Sequence, residues 1–248
     1  MGFFRESWHL CRAPRWGMCA LLLCLTAACG GRPAPRADAE ILVIGDSILA
    51  FHSFWGASVG DAVAEQMGVP VENRAVSGAR FTSTSARVTA RGGDIRRQYV
   101  AGDWDWVLLN GGANDLMSEC GCQRCTANLD GLISADGRDG EIPRFVRGLT
   151  TGGTRVMLLG YYDGNVRPNP FARCQDEIDA LNARMARLAA RNAGVFYVTA
   201  AGAIDPADQR HWYVDRVHPS QLGARRIGAR VAQAMAAADN RDGAPTGH

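Results

Sequence analysis

The chain has 248 residues and a formal net charge of +2, with 47% apolar and 21% charged residues, proportions of a soluble globular protein able to bury one enzyme-sized core. All 27 basic residues are Arg, which excludes P-loop nucleotide binding and Schiff-base chemistry, both dependent on Lys. No basic run exceeds the pairs Arg96-Arg97 and Arg225-Arg226, which argues against nucleic acid as a partner.

Residues 1–28 read as an export signal. Arg5, Arg12 and Arg15 precede an uncharged run from Trp16 to Gly31 centred on "ALLLCLTAAC". That run is shorter than the roughly 20 residues needed to cross a bilayer and suits the apolar region of a secretion signal. The stretch "LTAAC" is similar to a bacterial lipobox, with Thr26 where Leu is usual, so Cys29 is the expected lipid attachment point. An ordinary cleaved signal and a buried helix are the other readings. The expectation is an exported, periplasmic lipoprotein of a Gram-negative bacterium, held at the membrane by its N-terminal lipid and otherwise monomeric. Residues 29–39 carry Pro and Gly without apolar period and read as a tether.

The domain is expected over 40–238, followed by a disordered polar tail at 239–248. Strand candidates are 40–45, 70–76, 104–110, 154–160 and 194–199. Several are apolar at consecutive positions, as in "WVLL" and "VMLLG", which suits strands covered on both faces. Helical spacing predicts helices near 54–68, 141–151, 173–192 and 219–237, the last beginning at Pro219. Strand and helix alternating in this way predict an α/β fold with one parallel five-stranded sheet between helical layers. Functional groups then gather beyond the carboxyl ends of the strands. Ser47, in "ILVIGDSILAF", stands at such an end, with Ile48, Leu49 and Phe51 anchoring the turn in the core.

Four Cys lie within the domain: Cys120, Cys122 and Cys125 in "CGCQRC", and Cys174. In an oxidising compartment an even number reads as disulfides, while a zinc site with Cys174 as fourth ligand is the alternative. The pairing is open, though a Cys120–Cys122 bond would be strained by its short loop. A bond from the cluster to Cys174 would tie two loops on the edge that carries Ser47 and pin the rim of a pocket.

A Ser hydroxyl needs a base before it becomes nucleophilic. His9 lies in the signal, His248 in the tail, and His52 on the same segment as Ser47; His211 is read as having no carboxylate spaced to orient it. His218 has Asp215 three residues earlier in "VDRVHPS", so one turn can aim the carboxylate at a ring nitrogen and fix the tautomer. Asn114 in "GAND" follows the third strand, and Gly78 in "AVSGAR" follows the second; both could face a developing oxyanion. A metallophosphoesterase would need more His and an Asp-x-His pair.

The order Gly-Asp-Ser, Gly, Gly-x-Asn-Asp, Asp-x-x-His-Pro over about residues 40–237 resembles the SGNH hydrolases, also called GDSL lipases or esterases. The resemblance implies a flavodoxin-like three-layer α/β/α fold and cofactor-free, metal-free hydrolysis of a carboxylic ester through an acyl-enzyme. It implies Ser47 as nucleophile, His218 as base and then acid, and Asp215 as its orienting partner. It also implies an oxyanion hole from the N–H groups of Ser47 and Gly78 and the Asn114 amide. Asp46 and Asp115 match motif positions and are read as structural. The Cys cluster and "LDGLISADGRDG" depart from the plain helix common in relatives after the Asn114 position. The expected substrate is a lipid or an O-acylated glycan of the cell envelope. The alternative is a catalytically silent module that binds acylated envelope glycan. Phe51, Phe54, Trp55, Phe81, Trp212 and Tyr213 lie near the motif loops and could line an acyl pocket, stack on sugar rings or belong to the core.

Overall fold

Runs of consecutive apolar residues form the sheet, because its central strands are covered on both faces. The computed structural model describes residues 34–82 and 86–242; the expected signal, the Cys29 lipid site and the start of the tether lie outside the described residues. In chain order the elements are β1 (Ile41–Ile44), α1 (Ser47–Ala50), α2 (Val59–Met67), β2 (Val71–Asn73), α3 (Ala86–Ala90), β3 (Trp106–Leu109) and α4 (Ala113–Cys120). There follow α5 (Thr126–Leu132), α6 (Glu141–Thr150), β4 (Arg155–Gly160), α7 (Gln175–Ala189), β5 (Val195–Thr199) and α8 (Gln221–Asp242). All five strands are parallel in the order β2-β1-β3-β4-β5, with Ile41 opposite both Val71 and Trp106.

This order places the site. The chain steps one way from β1 to β2 and the other way from β3 to β5, so right-handed crossovers put α2 on one face and α4 to α7 on the other. The last helix, α8, returns to pack along α2. The carboxyl ends of β1 and β3 therefore diverge at a switch point, where a crevice opens. Ser47 follows β1 and Asn114 follows β3, so they flank that crevice. The strands beneath are dry: every residue of β1 and β3 is buried.

Three expectations change in detail, and the stretch after Asn114, for which no element was expected, takes a form of its own. The helix expected over 54–68 divides into a 3-10 turn at Ser53–Trp55 and α2. Gly56 ends the turn at φ 62°, and Ser58 starts α2 through a capping box in which its hydroxyl and backbone N–H pair with Asp61. The stretch after Asn114 forms two short helices, α4 and α5, broken where Gly121, Cys122 and Arg124 take positive φ. Pro219 does not begin α8. It forms a bridge with Trp212, and the Ser220 hydroxyl accepts the Gly223 N–H ahead of the first turn. Finally, α8 runs to Asp242, past the expected domain end at 238; its apolar stripe of Ile227, Val231, Met235 and Ala238 stays buried to that point.

Candidate active site

Gly45 turns the chain out of β1 with φ 150°, and a Cβ there would lie 2.3 Å from the Asn110 side-chain oxygen. Only Gly fits so tight a turn. The buried Gln98 amide accepts from Gly45 N–H at 2.7 Å and donates to its carbonyl at 2.9 Å. Asp46 caps α1 by accepting the Ile48 N–H at 3.0 Å. Its carboxylate also accepts from the Tyr161 hydroxyl at 2.6 Å and the Asn110 amide at 3.2 Å. Burial pushes this carboxyl upward, against the lowering effect of its three donors. Burial and then the Asp46 charge push the Tyr161 phenol well up, so it stays a fixed donor. The same phenol oxygen accepts the Ala113 N–H at 3.2 Å, which ties the β1, β3 and β4 loops together around Ser47.

Gly78 sits exposed after β2 at φ 75°, with nothing within 4 Å of where a Cβ would be. The N–H groups of Gly78 and Ser47 have no acceptor among the described residues. Asn114 is half-buried at the start of α4, and its amide donates to the Ala79 carbonyl at 3.2 Å, which leaves a second amide hydrogen. The buried Asp115 accepts from Phe81 N–H at 3.2 Å and from Thr82 N–H and hydroxyl at 2.8 and 2.7 Å. It thereby holds the segment that follows Gly78. Asp46 and Asp115 both fasten loops, as read from the sequence.

The "VDRVH" segment is a loop closed at its base by the Trp212–Pro219 bridge and by the Tyr213 N–H on the His218 carbonyl at 2.9 Å. Arg216 takes φ 59° at its tip, a strained conformation for a long side chain. Asp215 accepts the backbone N–H groups of Val217 and His218, each at 3.0 Å, and its second oxygen lies 2.7 Å from His218 Nδ1. Burial would raise the Asp215 carboxyl, but hydrogen bonds from the His218 backbone, its ring and Val217 outweigh it and hold the group below its ordinary value. With Nδ1 so engaged, Nε2 is the nitrogen left to take a proton. The buried Tyr162 donates to the Val217 carbonyl at 2.6 Å and anchors the loop from β4.

Two contacts that the sequence did not show brace the His218 segment from the Ser47 side, one by Phe51 on the His218 ring and one by His52 on the adjoining Pro219. Phe51, expected in the core, is only half-buried and lies parallel to the His218 ring at 4.4 Å. Its N–H bonds the Ser47 carbonyl at 2.9 Å, so it is one turn from that residue. His52 Nε2 lies 3.2 Å from the Pro219 carbonyl, an acceptor that requires the ring nitrogen to donate. The reading of His211 needs correction, because Asp208 stands three residues before it and lies 3.9 Å from its Nε2. His211 is nevertheless buried, and its Nδ1 accepts the Asp205 N–H at 2.9 Å, so this ring serves the fold.

Ser47, Asn114, Tyr162, Phe171, Ile178 and Arg216 line one cleft of about 510 Å³. Its rim is stapled. Cys122 bonds Cys174 and Cys120 bonds Cys125, so the four sulfurs are consumed as disulfides and are not zinc ligands. The first bond joins the α4–α5 turn to the segment just before α7, beside Phe171 and Gln175 of the cleft wall. Of the other aromatic residues, Phe81 is core, Trp212 is buried against Tyr162, and Phe54 and Trp55 stand in solvent.

The model of the GDSL-like lipase/acylhydrolase family matches residues 43–226. No curated protein matches the chain in sequence. Among solved structures, the chain is similar to a carbohydrate acetylesterase from Sinorhizobium meliloti, with TM-score 0.55, 18% identity and coverage of 81% of this chain and 99% of that one. It is similar to a carbohydrate esterase family 2 enzyme with a carbohydrate-binding domain from Myceliophthora fergusii, with TM-score 0.54, 18% identity and coverage of 84% and 68%. It is also similar to the M. smegmatis aryl esterase, with TM-score 0.53, 16% identity and coverage of 80% and 99%. At such identities these structures share the fold, and the family model carries the assignment. The chain belongs to the GDSL-like lipase/acylhydrolase family, and it is a hydrolase of ester bonds.

Proposed function

We propose that Ser47, His218 and Asp215 cleave a carboxylic ester through an acyl-enzyme. The observation that carries this reading is the His218 ring held by Asp215 at Nδ1 and by Phe51 on its face, one helical turn from Ser47. Ser47 Oγ attacks the carbonyl carbon as its proton passes to His218 Nε2. The negative charge on the carbonyl oxygen is met by the N–H groups of Ser47 and Gly78 and the second Asn114 amide hydrogen. As the intermediate collapses, the C–O bond to the alcohol breaks and Nε2 returns the proton to the leaving oxygen. Water then repeats the sequence on the acyl-Ser47 ester. Asp215 stays ionised throughout and stabilises the imidazolium.

The substrate in this reading is an ester on a lipid or a glycan of the cell envelope, and the enzyme is exported and tethered through Cys29. Support comes from the Arg-flanked apolar run and "LTAAC" motif, and from domain cysteines that are all paired, as suits an oxidising compartment.

The test is p-nitrophenyl acetate turnover by the mature domain beside Ser47→Ala. The expected loss is roughly a thousandfold or more in kcat. Turnover indifferent to that change would remove Ser47 from the reaction.

A further inference from the structure

Beside the cleft, on the far side of Phe51, runs a second, open groove of about 760 Å³ whose walls include Phe51, Phe54, Trp55, Tyr213, Ser77 and Gln221. We propose that this groove is the leaving-group subsite and that it takes the pyranose ring of an O-acylated sugar. The proposal rests on the Ser47 reading above and names its alcohol.

The groove continues the site. Phe51 presents one face to His218 and meets the Tyr213 ring edge-on at 4.9 Å. Ser77 directly precedes Gly78. A group in the groove therefore lies one ring, that of Phe51, away from the imidazole that returns the proton to the departing oxygen. The other cleft, walled by Ile48, Ala113, Phe171 and Ile178, is left for the acyl group.

The tip of the groove is built to present aromatic faces. Phe54 and Trp55 are 86% and 71% exposed, and their rings meet edge-to-face at 4.8 Å. Large side chains left in water in this way mark a contact surface. They are held in place: the Trp55 N–H bonds the His52 carbonyl at 2.9 Å, and the Ser53 hydroxyl bonds the Ala50 carbonyl at 2.8 Å. Positive φ at His52 and Gly56 fixes both ends of the turn.

The chemistry of the walls selects the occupant. Among the described residues, aromatic rings and the His52 imidazole combine with the hydroxyls of Ser53 and Ser77 and the amide of Gln221, and no Arg, Asp or Glu lines the groove. A pyranose has an apolar C–H face and a rim of hydroxyls, and needs both kinds of neighbour. A segment docking on anionic lipid would bring Arg to its border, and a long acyl chain would want an unbroken apolar trough.

The experiment compares kcat/KM on glucose pentaacetate and acetylated xylan with that on p-nitrophenyl acetate for wild type, Trp55→Ala, Phe54→Ala/Trp55→Ala and Trp55→Tyr. The double variant is expected to lose roughly tenfold more on the sugar esters than on the nitrophenyl ester, through KM. Trp55→Tyr should recover most of the single-variant loss, because it restores a ring face. Nitrophenyl turnover reports that each variant is folded. Equal losses on both kinds of ester, or none, overturn the proposal. So does a loss that grows from p-nitrophenyl acetate to butyrate, which would assign the groove to the acyl chain. So does Phe54- and Trp55-dependent sedimentation with phosphatidylglycerol vesicles without a sugar-ester effect. Wild-type turnover of the nitrophenyl ester without turnover of either acetylated sugar overturns the groove alone, whereas turnover independent of Ser47 overturns the reading beneath it.

Discussion

The imidazole of His218 lies flat on the ring of Phe51, with 4.4 Å between centroids and 9° between planes. Phe51 leaves α1 one turn after Ser47, so the residue that ends the helix of the candidate nucleophile also lies on the plane of the candidate base.

That stacking makes Phe51 a positioning residue. Phe51→Ala is expected to lower kcat on p-nitrophenyl acetate by roughly tenfold to a hundredfold with a smaller change in KM. Phe51→Tyr should retain most activity because the stacked face is kept. Equal kcat values for Phe51→Ala and wild type would show that the ring does not orient His218.

Asp215 links the site to pH. Its carboxyl is held below the ordinary value by the His218 and Val217 donors, which outweigh burial. A carboxylate lowered in the folded state stabilises that state above its unfolded pKa, and the contribution disappears as pH falls through the folded pKa. Wild type should therefore lose Tm on acidification below about pH 4 more steeply than Asp215→Asn. The variant should also lose roughly a hundredfold or more in kcat at neutral pH, because an amide does not hold the right imidazole tautomer. Parallel acid limbs of Tm would contradict the assignment of that bond.

Both successes and failures of sequence reading have physical causes. The strands were legible because β1, β3 and β4 are buried on both faces and must be apolar at consecutive positions. The placement of Ser47, Gly78 and Asn114 after β1, β2 and β3 was legible because a parallel sheet gathers the ends of its strands on one edge. Asp208-x-x-His211 and Asp215-x-x-His218 share one spacing, however, and only burial and the Asp205 N–H separate the structural pair from the open one. The stacking of Phe51 on His218 was hidden because an aromatic residue after a strand reads equally as core or as pocket lining, and the sequence does not show which ring it meets. The cysteine pairing depended on the α4–α5 break, which comes from positive φ at Gly121, Cys122 and Arg124, two of them residues that seldom take it.

The Cys122–Cys174 bond closes a sequence separation of 52 residues. Cys122→Ser/Cys174→Ser should lower stability by about 2–4 kcal/mol through the freed unfolded chain. Because the bond ends beside Phe171 and Gln175, KM should rise more than kcat falls. A denaturation midpoint unchanged by the double substitution would refute a structural role for this staple.

Asp46 is the buried hub of the Ser47 turn, accepting from Ile48, Asn110 and Tyr161. Asp46→Asn puts an amide donor where a carboxylate accepts, and the Tyr161 phenol loses its acceptor. A destabilisation of about 1–3 kcal/mol is expected, with lower activity. Tyr161→Phe removes that donor and leaves the Ala113 N–H without its acceptor, but it introduces no donor against the carboxylate and Asp46 keeps its other two partners, so it should cost less. The opposite ranking in a urea titration would contradict this view of the network.

The account stands most directly on covalent labelling of Ser47. Intact-protein mass spectrometry after incubation with a fluorophosphonate should give one adduct per chain, carried by the peptide containing Gly45, Asp46 and Ser47. Ser47→Ala should give no adduct, and His218→Ala a much slower one. Stoichiometric labelling of Ser47→Ala, or an adduct mapped to a different peptide of the wild type, would contradict the central claim.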